Sequence, residues 1–317
     1  MVFTSQYCAQ LVFSTIPIPE LPLIDRTGKG IFFCLQDARE QPAEPVWTHR
    51  WTTPNGKIVL AHRQQGEFHW LRFPALADFS ISQDARDIVC YPLPQIPTET
   101  IRHLLLDQVL PRCLAHQGKL MLHASAVWLD QGVLLFIGGS GAGKSTLAGN
   151  FHQAGQPALA DDCVWLKENY AQPKAVPSYG GLRLWKDSLK FLLDTKQHTF
   201  SMVHYSTKKR VFFNDHNTTG NEEGFPIIAI IVISPVGEEP VSDVTLELLS
   251  QREAYMEMVK QTFLLDVNDL DKITDHFQSL GRMMPFLRSY RLSMPRNYDL
   301  LHIVRKSILE KVTNKAV

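Results

Sequence analysis

Nine consecutive residues, Gly138-Gly139-Ser140-Gly141-Ala142-Gly143-Lys144-Ser145-Thr146, carry the most specific chemistry in the chain. Gly138-x-x-x-x-Gly143-Lys144-Ser145 satisfies the Walker A pattern of a phosphate-gripping loop, with the apolar run VLLFI before it and a helix-competent segment after it. Four glycines in the first six positions let backbone N–H groups converge on phosphate oxygens. The helix that follows adds about half a positive charge at its N-terminus. Lys144 supplies an ammonium and Ser145 a hydroxyl suited to magnesium. This arrangement implies binding of a nucleotide with Mg2+.

Three further sets of residues could complete a site. Asp161-Asp162 closes the short run PALA, sixteen residues after Ser145. If that strand runs parallel to VLLFI, as a right-handed crossover would place it, both carboxylates emerge beside the loop. Two acids in different surroundings can divide the work, one holding magnesium and the other taking a proton from an attacking hydroxyl. A solvated pair at a strand end is the competing reading, and the loop upstream favours the functional one. His123 lies in LMLHASAVWL, which Asp130-Gln131-Gly132 joins to VLLFI as a hairpin. A turn at Gln131-Gly132 or Asp130–Gly132 sets His123 across from residue 140 or 139, where it would orient an aspartate or stabilise transferred charge. A core histidine is the alternative. Arg183 and Lys186, after the Gly180-Gly181 turn, and the run Lys208-Lys209-Arg210 offer cations for phosphate, against the plainer reading of solvated surface charge.

The elements that must hold these residues are legible in outline. Up to about residue 95 the chain reads as short apolar or alternating runs, among them KIVLAHR, FHWLRF, DFSIS and DIVCYP, separated by turn residues. Three prolines at 92, 94 and 97 then punctuate it. Thr98 is placed to cap a helix with Ile101, Leu104, Leu105 and Val109 on its apolar face, and Pro111 should kink or end it. Beyond the phosphate loop, Ser145–Ala154 predicts a helix ended by Gly155. Residues 214–224, NDHNTTGNEEG, predict a mobile loop, PIIAIIVIS and DVTLELL predict strands, and Ser250-Gln251-Arg252-Glu253 is a capping box opening a helix. The tail from Asn297 has helical periodicity. The expected domains are a β-rich module over 1–96 and a nucleotide-binding domain over 97–317.

Composition narrows the partners. Lysine plus arginine and aspartate plus glutamate both total 32, so no net charge draws the chain toward nucleic acid or an anionic membrane. Five scattered cysteines without a C-x-x-C pair argue against a disulfide framework or a cysteine zinc site. No run approaches the roughly 18 apolar residues of a membrane span, and MVFTSQYCAQ lacks the pattern of a signal peptide. These features predict a soluble, cytoplasmic protein.

A histidine strand, hairpin, GGSGAGKS and ALADD in that order make Leu120–Val164 resemble the catalytic core of the HPr kinase/phosphorylase family, whose relatives include kinases of lasso-peptide precursors. The family shows G-x-S-G-x-G-K-S and A-D-D at closely similar spacing. Its E-I-R-G-L-G segment is not reproduced, and Tyr179-Gly180-Gly181-Leu182-Arg183-Leu184-Trp185 stands in the comparable region. The resemblance implies an α/β (α+β) fold with a phosphoenolpyruvate-carboxykinase-like P-loop core, ATP and Mg2+ as cofactors, and phosphoryl transfer to serine in a peptide or protein. By position, His123 matches the active-site histidine, Lys144 and Ser145 the phosphate and magnesium residues, Asp161 the acid/base and Asp162 the metal-side aspartate. Residues 138–146 and Arg183 would hold the nucleotide. A homo-oligomer is compatible with the family. Two other readings stay open: a P-loop small-molecule kinase, and a nucleotide-binding adaptor without catalysis.

Overall fold

Alternating apolar and polar residues build eight strands before Pro94: β1 (Phe3–Tyr7), β2 (Gln10–Ser14), β3 (Gly30–Leu35), β4 (His49–Thr52), β5 (Ile58–Gln65), β6 (Phe68–Phe73), β7 (Ala77–Ser82) and β8 (Asp87–Pro92). The computed structural model describes residues 2–42, 46–53, 55–169, 172–192, 200–202, 209–211, 221–235 and 241–313. The strands form one mixed sheet, ordered β1-β2-β3-β8-β7-β6-β5-β4, in which β3 runs parallel to β2 and β8 and the other pairs are antiparallel. Gln65 pairs with Phe68, so Gly66-Glu67 is a two-residue hairpin turn, and Gly66 takes the positive φ of 59° that such a turn favours.

The helical segment that follows departs from expectation at two points. Thr98 is the first residue of α1 (Thr98–Leu104) rather than its cap; Pro97 precedes it, and no side chain caps the helix. Pro111 does not end the helix. A π turn over Leu105–Val109 directs the Leu110 N–H to the Leu105 carbonyl, and α2 (Leu110–His116) continues past the proline. The wider turn accommodates a residue that has no N–H to give.

Two compact units divide the chain: Met1–Lys119 with Phe263–His276, and Leu120–Thr262 with Phe277–Val317. The helical segment after residue 97 thus groups with the first sheet. Among the described residues, no helix is long and apolar enough to cross a membrane.

The second unit is mixed α/β. Its strands are β9 (Leu120–Leu122), β10 (Ala124–Leu129), β11 (Gly132–Ile137), β12 (Ala158–Ala160), β13 (Val164–Lys167), β14 (Lys174–Pro177), β15 (Leu182–Leu184), β16 (Phe200–Met202), β17 (Lys209–Val211), β18 (Phe225–Ile233), β19 (Thr245–Leu248) and β20 (Ser289–Ser293). The main sheet runs β12-β10-β11-β18-β14-β13-β9, with β20 also on β18 and β19 on β20; β15-β17-β16 form a small sheet. Its helices are α3 (Lys144–Gln153), α4 (Lys186–Leu192), α5 (Gln251–Val259), α7 (Leu301–Thr313) and the C-terminal half of α6 (Leu270–Met283).

The continuous apolar runs VLLFI and PIIAIIVIS follow from burial on both faces. Leu134, Phe136, Ile231 and Ile233 pack with Leu147 and Phe151 of α3 and Val304 of α7. Their alternates Leu135, Ile137, Ile230 and Val232 pack with Met258 of α5 and Met283 of α6. Ser250 and Glu253 form the expected capping box, Ser250 Oγ accepting from Glu253 N–H and Glu253 Oε2 from Ser250 N–H. Lys208 and residues 214–220 of the expected polar loop lie outside the described residues.

Candidate active site

The main sheet delivers the glycine-rich loop from the end of β11 to the start of α3. Gly138 has φ 147°, and a Cβ there would lie 3.0 Å from the Ile233 carbonyl oxygen, so only glycine allows the chain to leave β11 this close to β18. Gly143, at φ 107°, opens α3. Between them Gly139, Ser140 and Gly141 are exposed, and a Cβ on either glycine would meet nothing within 4 Å. The loop tip therefore borders open space. Lys144 lies inside the loop, 6% exposed, with Nζ donating to the carbonyls of Gly138 at 2.8 Å and Gly139 at 3.2 Å. Arg296 Nη1 donates to the Ala142 carbonyl. The Thr146 hydroxyl is turned to Ser188 Oγ (3.1 Å), which meets the Tyr298 hydroxyl at 3.0 Å.

The two aspartates stand beside this loop. β12 runs in the same direction as β11, as expected, but β10 lies between them and pairs antiparallel with both. At the end of β12 the Cys163 N–H bonds the Asp161 carbonyl at 2.9 Å, with Asp162 between them at φ 66°. This is a γ-turn of the strained positive-φ kind, of a sort concentrated at functional sites. Asp161, 3% exposed, accepts from Ser125 Oγ (2.5 Å) and Ser145 Oγ (3.1 Å) on Oδ1, and from the Arg183 N–H (2.9 Å) on Oδ2. Three of about four acceptor positions of the carboxylate are thereby engaged. Burial, and secondly the neighbouring Asp162 charge, push the Asp161 carboxyl above its ordinary range, while the three donors pull it back only in part. Asp162 accepts from Arg183 Nη1 on Oδ2 at 2.7 Å and lies 3.3 Å from His123 Nε2 on Oδ1.

His123 reaches this place by a route the hairpin argument misjudged. The turn is Asp130-Gln131, Leu129 pairs with Gly132, and Ala124 pairs with Ile137. Continued by one residue, that register sets His123 against Gly138, not 139 or 140. The run LMLHASAVWL is also not one strand. It breaks at His123: β9 pairs with β13, β10 pairs with β11 and β12, and the His123 N–H donates to the Gln261 carbonyl at 2.7 Å. The break leaves the imidazole one-third exposed (33%) rather than buried in a core.

Residues 138–146, His123, Asp161, Asp162 and Arg183 thus come together, with Arg183 on the aspartates. The metal pairing expected of Ser145 with Asp162 finds the Ser145 hydroxyl bonded to Asp161 instead. Lys186 opens α4, while Arg210 is buried opposite Arg183 in the small sheet with Tyr179 against its guanidinium. Sequence reasoning missed Ser125 and Arg296. Ser125 had a signal, since a residue two along from His123 in an extended chain shares its face. Arg296, 154 residues from its loop partner, had none.

No protein-family model matches the chain, and no curated protein matches it. Among solved structures, the chain is similar to one titled "Structure of the Hpr(Ser) kinase/phosphatase from Coxiella burnetii". Identity is 11%, the match covers 60% of this chain and 97% of that one, and the TM-score is 0.26. Function here rests on the site's own geometry.

Proposed function

We propose that the second unit is an ATP- and magnesium-dependent kinase that transfers the γ-phosphoryl group to a serine hydroxyl of a peptide or protein, on a phosphoenolpyruvate-carboxykinase-like P-loop core, in the cytoplasm. The observation that carries this reading is the meeting of two carboxylates, a guanidinium and an imidazole at the mouth of an open glycine loop. The oxygen donors of Ser145 and the aspartates suit a hard cation such as Mg2+, and the glycine tip leaves room for phosphates. Bound there, magnesium would offset charge on the transferred group.

The chain's own residues account for the rest. Lys144 would exchange its loop carbonyls for phosphate oxygens, and Arg183 holds Asp162 in place. Asp161, its carboxyl raised and one acceptor position uncommitted, takes the serine proton as the serine Oγ–P bond forms and the bond from Pγ to the ADP oxygen breaks. A second assignment is favoured by the Ser145–Asp161 hydrogen bond: Asp161 on the metal side and Asp162, oriented by His123, as base. Replacing each aspartate by asparagine and following transfer against Mg2+ concentration separates them, because the metal-side variant recovers with added Mg2+ and the base variant does not.

The whole reading is tested by calorimetric titration with ATP and Mg2+, and by mass spectrometry of a serine-peptide library incubated with the protein and ATP. Phosphoserine products lost in Lys144→Ala are expected. Absence of ATP binding would remove the proposal, and phosphorylation of a small metabolite alone would favour a small-molecule kinase.

A further inference from the structure

The first unit holds a polar cluster that phosphoryl transfer does not use. His62 on β5 and His69 on β6 flank the Gly66-Glu67 turn. Because His62 pairs with Leu71 and Gln64 with His69, the two histidines are diagonal neighbours on one face of the hairpin. They are 0% and 3% exposed, and His62 Nε2 lies 3.2 Å from His69 Nδ1. Asp266, on the segment 263–276 that packs with this unit, brings a carboxylate oxygen within 3.8 Å of His62 Nδ1. The outer nitrogens, His62 Nδ1 and His69 Nε2, are buried without a hydrogen-bond partner.

No tautomer satisfies this cluster. If His62 donates to His69, its own Nδ1 lone pair faces the Asp266 carboxylate and a buried His69 N–H points at nothing. If His69 donates, its outer nitrogen becomes a buried, unmatched lone pair, and the His62 N–H is too far from Asp266 for a hydrogen bond. Protonation does not resolve the conflict near neutral pH, because burial holds His62 down to about 4 and lowers His69 as well. Neutral imidazoles beside a carboxylate are the state in which such residues bind metals.

We propose that His62, His69 and Asp266 form a site for a divalent transition metal of the zinc class, with one coordination position left for water. One nitrogen from each ring and one Asp266 oxygen already lie within 4.8 Å of one another. Bonds of about 2.0–2.1 Å in a tetrahedron set ligand atoms roughly 3.3 Å apart, so closure takes a movement of about 1.5 Å at most. Asp266 can supply it, since it lies in the loop before α6 rather than in a strand or helix; its Oδ1 accepts from the Asn268 N–H at 2.8 Å and Nδ2 at 3.3 Å, donors that a metal-bound carboxylate oxygen keeps. Two imidazoles and one carboxylate favour zinc over magnesium or calcium, which prefer all-oxygen sites. His116 supports the set from outside: its ring packs edge-on against His69 at 4.8 Å, and its Nε2 donates to the Gln83 carbonyl at 3.0 Å. A bound ion would clasp segment 263–276 to the face of β5 and β6.

The test uses the full chain, stripped with a chelator and titrated with Co2+ and then Zn2+ in excess Mg2+, added to fill the oxygen-donor site proposed in the second unit. One equivalent of Co2+ with the visible bands of four-coordinate nitrogen and oxygen ligation, displaced by Zn2+, is expected. His69→Gln and Asp266→Asn should each weaken it by about 100-fold or more, since disturbing residues that only orient the ligands costs 10–100-fold. Asp162→Ala and Cys34→Ser should leave it intact. Should either ligand variant fail to fold, 15N shifts of the histidine rings in the wild-type chain on Zn2+ addition decide, with His62 and His69 expected to move. No Co2+ or Zn2+ binding by the wild-type chain, binding that survives both ligand substitutions, or ring shifts confined to other histidines would overturn the proposal.

Discussion

Replacing His123 by alanine separates a residue that acts on transferred charge from one that merely packs. The imidazole is one-third exposed and lies 3.3 Å from Asp162, and its backbone N–H, bonded to Gln261, survives the substitution. Losing a hydrogen bond at a partly exposed imidazole costs about 0.5–1.5 kcal/mol. In a unit of this size each kcal/mol moves the melting temperature by about 2–4 °C. A drop of a few degrees is therefore expected, well short of the roughly 3–5 kcal/mol of a large core truncation. If the ring steadies Asp162 or the transferred phosphoryl group, transfer should fall by about 100- to 1,000-fold, as when one preorganised donor is removed from a transition state. ATP affinity should change little, because Lys144 and the loop amides are untouched. Thermal melting, ATP titration and single-turnover transfer to a serine peptide on one preparation give all three values. Unchanged turnover per folded molecule, or a melting loss as large as a core cavity gives, would refute the placement of His123 in the chemistry.

The remaining predictions follow from the same contacts. Asp161 titrates above the ordinary carboxylate range in the folded state, so the native chain holds this proton more tightly than the unfolded chain does, and wild-type stability declines as pH rises from the unfolded value through the folded one. Asp161→Asn removes that slope; its denaturant midpoint should gain on wild type across that window, and a constant difference would contradict the burial argument. Lys144→Ala frees two loop carbonyls, one of them on exposed Gly139, so stability should fall by only about 1 kcal/mol while calorimetry shows ATP affinity lost. Arg183→Met leaves the buried Asp162 facing Asp161 without its guanidinium and should cost about 3–5 kcal/mol by chemical denaturation, whereas a loss below 1 kcal/mol would mean that solvent compensates the charge. Arg296→Ala should weaken ATP binding about tenfold by releasing the Ala142 carbonyl, with the transfer rate from bound ATP largely kept.

How far this site was legible depended on the range of the interactions that build it. The glycine loop, the helix after it and the acids after PALA follow from local rules, because a strand that must enter a glycine-rich turn and a chain that must cross back leave few places for Asp161-Asp162. The strands β5 to β8 were legible from alternation for the same local reason. The His123 register was not, because a hairpin turn shifted by one residue moves the partner without changing any residue type. Nor does LMLHASAVWL reveal that it breaks at His123: its first half pairs with β13, some forty residues on, while its second half stays with β11.

The same limit explains Arg296 and Asp266, whose partners lie far along the chain. It also explains why His62 and His69 looked like ordinary strand residues. Each is a polar residue in an alternating run, and the run cannot show which face is buried until α2 and segment 263–276 fold with the sheet. Once that face is dry, a histidine pair that solvent would have satisfied becomes a pair of unmatched nitrogens beside a carboxylate. The site proposed in the first unit is thus a consequence of burial, and the one proposed in the second a consequence of motif. This difference is why sequence reading found the second and passed over the first.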